Sequence, residues 1–73
     1  MRGVDVAANI EYAMNRLDMS SQELAAGCGL TYDQFRYLMR DPEERLKLGV
    51  LRRIARKLDT TAAWLISGTP AKR

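Results

Sequence analysis

The chain has 73 residues, 47% of them hydrophobic and 29% charged, with a formal net charge of +3; this is the make-up of one small globular domain and excludes a disordered chain or a second domain. The longest unbroken apolar run, Ala62 to Ile66, is far short of the roughly 20 residues that span a bilayer, and the start lacks the apolar stretch of a signal peptide, so the expected location is the cytoplasm. With one cysteine and no histidine, no intramolecular disulfide, nucleophile–base pair or metal cluster can be assembled, so neither an enzyme nor a bound cofactor is expected.

In chain order, Asp5 caps a first predicted helix in which Val6, Ile10, Ala13, Met14 and Leu17 keep helical spacing, and that helix ends near Asp18. Ser20 and Glu23 then have the spacing of a capping box, in which each residue satisfies a backbone N–H left unpaired at a helix start. Thr31 and Gln34 repeat it eleven residues on. Between them Gly29 supplies the left-handed backbone that ends a helix sharply, and Leu30 tucks beneath the turn. Cys28, four residues after Leu24, reads as a small core hydrophobe. In the third helix, advancing about 100° per residue gathers Phe35 and Leu38 on one side as core. Tyr32, Asp33, Arg36, Tyr37 and Arg40 fall on the other side.

Asp41-Pro42-Glu43-Glu44 breaks the pattern, since proline disfavours helical geometry in the residue before it, and a loop is predicted from there to Lys47. A fourth helix sets Leu48, Leu51, Ile54, Ala55 and Leu58 within a sector of about 120° and leaves Arg52, Arg53, Arg56 and Lys57 on a solvated side. Thr60 or Thr61 starts a short fifth helix with Trp64 and Leu65 as core, stopped by Gly68 and Pro70. Residues 69–73 are expected to form a loose basic tail behind a domain of residues 1–68. Five short helices without a strand candidate make an all-α bundle.

Met19 to Arg40, two short helices joined by a glycine turn, has the layout of a helix-turn-helix that reads DNA. On its second helix Arg36 offers a guanidinium fork suited to guanine edges or phosphates, Asp33 a carboxylate that accepts from cytosine, and the tyrosines phenols that reach phosphates or thymine methyls. The competing reading is a merely solvated face. Charge adds direction: residues 1–30 carry two basic and four acidic groups, residues 31–73 ten and five, an asymmetry that suggests an anionic partner for the C-terminal part.

Two segments carry a family resemblance. Met19-Ser20-Ser21-Gln22-Glu23-Leu24-Ala25 with Gly29-Leu30-Thr31 resembles the helix-two and turn pattern of the Cro/cI (XRE) regulators of phages and bacteria. Leu51 to Leu58 with Ala63 to Gly68 is similar to the "Leu-x-x-Ile-Ala-x-x-Leu" helix and "Trp-Leu-x-x-Gly" ending of small phage Cro proteins and short repressors. The resemblance implies a lambda-repressor-like fold that binds operator DNA as a two-fold dimer, its third helix in the major groove. Carried onto this sequence, base reading falls on Tyr32, Asp33 and Arg36. Phosphate contacts are expected from Ser20, Ser21, Gln22, Tyr37, Arg40 and Arg45, and dimer contacts from Leu58, Thr60, Trp64 and Ile66. Two departures stand out: Ser21 occupies a position where the family often has glutamine, and Asp41, Glu43 and Glu44 bring negative charge close to where family members approach the backbone. The expected function is therefore a Cro-type repressor, homodimeric on double-stranded DNA and without a membrane partner. The alternative, favoured by the acidic segment, is a protein-interaction module on the same fold: an antitoxin, adaptor or anti-repressor.

Overall fold

Most helix boundaries in the centre of the chain have a local cause. The computed structural model describes residues 6–67, which form α1 (Val6–Arg16), α2 (Ser21–Gly27), α3 (Tyr32–Arg40), α4 (Pro42–Arg45), α5 (Leu48–Lys57) and α6 (Ala62–Ser67). The expected cap at Asp5, the stop at Gly68 and Pro70 and the basic tail lie outside the described residues. Both capping boxes form. The Ser20 hydroxyl accepts from the Glu23 amide at 3.1 Å while Glu23 accepts from the Ser20 amide at 2.8 Å, and Thr31 and Gln34 make the same exchange at 3.0 and 2.9 Å. Thr61 starts α6 by accepting from the Trp64 amide at 3.1 Å.

Helix ends are equally explicit. After α2, Gly29 takes φ +77°, its amide donates to the Ala26 carbonyl and the Leu30 amide to the Ala25 carbonyl, the pair of bonds that defines a Schellman stop. The same pair closes α1 through Asp18 and Met19, and α5 through Asp59 and Thr60. There an aspartate holds the left-handed position, at φ 56° and 57°. Among non-glycine residues Asp is one of the few that visits this region.

The helices bury one continuous core. Val6, Ile10, Ala13 and Met14 of α1 meet Leu24, Ala25 and Cys28 around α2, Phe35 of α3, Leu51, Ile54, Ala55 and Leu58 around α5, and Leu65 of α6. Each fully buried Leu or Ile contributes about 1.5–3 kcal/mol by leaving water. No polar or charged residue among the described ones is buried. α2 packs on α3 and α5, α6 on α5 and α1, and α4 on α1 and α3. Asn9 ties α1 to α6, its Nδ2 donating to the Leu65 carbonyl at 2.9 Å.

The structure corrects the sequence reading at several points. Among the described residues there are six helices rather than five, because Pro42 sits at the first position of a four-residue helix. Proline lacks only an N–H that is unpaired there anyway, and its fixed φ suits the position. The preceding Asp41 is non-helical, at φ −150°, as that rule requires. Leu17 and Leu48, expected in the core, are exposed. Leu17 lies just past the last turn of α1, and Met19 folds back onto the core instead. Leu48 opens α5, so no earlier turn of its own helix lies beneath it, while Leu46 and Val50 pack inward on either side. On α3 the inward direction runs through Phe35 and Met39, leaving Leu38 half-buried at the edge. Trp64 is half-buried as well, its ring 6.0 Å from that of Tyr12 and tilted by 39°.

Candidate nucleic-acid interface

α3 is held from one side and offered on the other. Phe35, only 4% exposed, fixes the helix to the core, and the Thr31–Gln34 box fixes its start. Tyr32, Asp33, Arg36, Tyr37 and Arg40 are all exposed, as the periodicity requires. The Arg36 guanidinium lies 5.7 Å from the centre of the Tyr32 ring, a cation–π distance that orders the long side chain. Ordering of this kind lowers the entropy lost when a side chain docks on a base edge.

Alongside this face runs a cleft of about 270 Å³ between α1 and α3. Ile10, Met14, Phe35 and Met39 form its floor, and Ser21, Tyr32, Arg36 and Arg40 stand at its rim together with Glu11 of α1. Two expected base readers and two expected phosphate contacts are thus brought into one concavity. Sequence reasoning missed Glu11: on an amphipathic helix an exposed glutamate reads as ordinary solvation, and only the fold brings it to the same cleft as the two arginines. A carboxylate there accepts from a cytosine or adenine amine and repels phosphate, so it bears on which part of a duplex the cleft admits.

The remaining expected contacts separate. Gln22 is exposed and Ser21 half-buried. Ser20 uses its oxygen as the α2 cap, which leaves its hydroxyl proton to donate. Arg45 also bonds within the chain: Nη1 donates to the Tyr37 carbonyl at 2.9 Å, and its guanidinium lies 4.1 Å over the Tyr37 ring, which leaves further guanidinium N–H groups to donate. It is the clamp that holds α4 against α3. Of the residues expected at a dimer contact, Ile66 is exposed and Thr60 and Trp64 are half-buried. Leu58, at 3% exposure, is a correction: it closes the core of its own chain and offers no surface. Burial pushes the Cys28 thiol up, against a smaller opposing pull from Lys57 and Arg53, so it stays protonated and unreactive near neutrality.

A capped two-helix unit joined by a left-handed glycine, with an anchored second helix and an open polar face, defines a helix-turn-helix DNA-binding domain. The chain belongs to the Cro/C1-type HTH DNA-binding domain family, which residues 9–67 match. No curated protein matches the sequence. Among solved structures it is similar to FeII HppE in complex with substrate, with a TM-score of 0.74 and 24% identity over 86% of this chain and 35% of that one. It is similar also to the hydroxypropylphosphonic acid epoxidase from S. wedmorenis, at 0.74 and 23% over 89% and 34%, and to apo-HppE, at 0.75 and 23% over 90% and 36%. The chain thus spans about a third of the length of these structures. At such identity the likeness is one of fold. Among the described residues no helix is long and apolar enough to cross a membrane.

Proposed function

We propose that this domain is a sequence-specific transcription regulator, a Cro-type repressor whose α3 enters the major groove of a palindromic operator and excludes polymerase. The observation that carries the reading is the exposed set Tyr32, Asp33, Arg36, Tyr37 and Arg40 on a helix fixed at its start and on its inner side. Tyr32, Asp33 and Arg36 discriminate bases, each good contact supplying about 1–3 kcal/mol. Arg40, Tyr37, Ser20, Ser21 and Gln22 hold phosphates. Arg45 acts indirectly, by bracing Tyr37. One such domain covers little DNA, so the protein works as a homodimer on two half-sites about 34 Å apart, with Trp64, Ile66 and Thr60 at the contact.

A second reading draws on α4. Asp41, Glu43 and Glu44 are all exposed beside α3, where negative charge opposes a phosphate backbone and suits a protein partner of an adaptor or antitoxin. Selection of bound sequences from a random DNA pool separates the two. The regulator yields a palindrome with one-turn half-site spacing; a pool without enrichment leaves the protein-partner reading.

A further inference from the structure

We propose that the outward face of α5 is a second nucleic-acid contact surface, holding a phosphate backbone independently of α3. Arg52, Arg53, Arg56 and Lys57 are all exposed. At about 100° per residue they fill an arc of about 140° on the side opposite Leu51, Ile54 and Ala55. They stand in two rows, Arg52 with Arg56 and Arg53 with Lys57. Like charges four residues apart destabilise a helix, and α5 has no acidic residue to offset them. Arg56 and Lys57 stand in the last turn, where positive charge suits the helix C-terminus; Arg52 and Arg53 have no such compensation, and a local conflict of this kind marks a surface kept for a partner.

The face is also separate from the reading helix: α5 packs on α2 and α6, whereas α3 packs on α2 and α4. It extends past the end of α2, where the Lys57 stem lies so close that a Cβ added at Gly27 would meet Lys57 Cε at 3.0 Å.

Chemistry selects the occupant. Three of the four cations are arginines, whose planar forks match phosphate oxygens in pairs. Leu48, one turn before Arg52, is exposed beside the face, but from Arg52 to Lys57 the face carries no apolar side chain, so an acidic protein would find one leucine there and no aromatic anchor to desolvate. A membrane is disfavoured too, since the apolar side of α5 is spent in the core and nothing remains to insert. A backbone needs charge alone.

The test compares wild type with Arg52→Gln/Arg53→Gln/Arg56→Gln, which keeps Lys57 over Gly27, on a short duplex of random sequence between about 50 and 200 mM salt. The proposal predicts that the slope of log affinity against log salt becomes shallower by about 0.9 for each phosphate no longer neutralised, up to about 2.7. Preference for a selected operator over the random duplex is retained. An unchanged slope overturns it, as does a variant that keeps the slope but loses binding to polyglutamate, which would assign the face to an acidic protein. Loss of operator preference alone would make α5 part of the reading surface and overturn its independence. Far-UV circular dichroism checks the fold, and Arg52→Gln/Arg56→Gln serves as a milder second variant. The proposal does not rest on a repressor role: failure to select an operator sequence would leave the salt slope on random DNA as its own readout.

Discussion

α3 and α5 are built on one plan and finished differently. Each lays an apolar side on the same core and turns charge outward, α3 through Phe35 and Met39, α5 through Leu51, Ile54 and Ala55. The outward face of α3 mixes two phenols, a carboxylate and two guanidinium groups, whereas that of α5 from Arg52 to Lys57 carries cations alone. Donors and acceptors of several kinds can tell base pairs apart; charge of one sign cannot, because every phosphate presents the same target. The two helices also begin differently. Thr31 caps α3 in a reciprocal box, while Lys47 before α5 makes no side-chain cap, so the geometry of α3 is fixed locally and that of α5 rests on its packing.

The largest expected effect tests the anchor of α3. Phe35→Ala should cost about 3–5 kcal/mol of unfolding free energy, comparable to the whole stability of many small domains, whereas Leu38→Ala, at the half-buried edge, should cost much less. Denaturant titration of the two variants decides it; equal losses would mean that α3 is seated on a different side. Next, Thr31→Ala should cost about 1 kcal/mol by removing its cap, and Lys47→Ala at the matching position of α5 less than about 0.5 kcal/mol. Thermal melting of both reads the contrast. Asp59→Gly, at the end of α5, should stabilise by about 0.5–1 kcal/mol: it relieves the left-handed backbone and removes a negative charge from a helix C-terminus, though the freer unfolded chain offsets part of the gain. A lowered melting point would point to an unseen role for Asp59. The smallest effect concerns pH. Burial raises the Cys28 thiol, so the unfolded chain ionises first as pH rises. Stability is complete below the ordinary thiol value of about 8.5 and declines above it. Cys28→Ala should flatten that alkaline decline, and Arg53→Gln should steepen it by removing one of the opposing charges.

The parts of the fold legible in the sequence were those with short-range causes. Ser20 with Glu23, Thr31 with Gln34, and Gly29 each act within a few residues, and all three formed as their spacing implied. Readings failed where another element decided the outcome. Pro42 reads equally as a breaker and as a first helical residue, and the Arg45 clamp on Tyr37 accompanies the second. Leu38 and Met39 are alike by composition; which faces inward depends on how α3 sits against its neighbours. Leu58 fits an interface or a core by type, and the closing of its own chain makes it core. The exposure of Tyr32, Asp33, Arg36, Tyr37 and Arg40 followed from periodicity alone, but the cleft that joins several of them to Glu11 is tertiary.

The account depends most on Arg36, and the most direct measurement is the affinity ratio between a selected operator and a random duplex of equal length, for wild type and Arg36→Ala at one salt concentration. The predicted result is a fall in that ratio of about 5- to 150-fold, the equivalent of about 1–3 kcal/mol for one good base pairing by the guanidinium fork. An undiminished ratio in a folded variant would contradict the assignment of α3 as the reading helix.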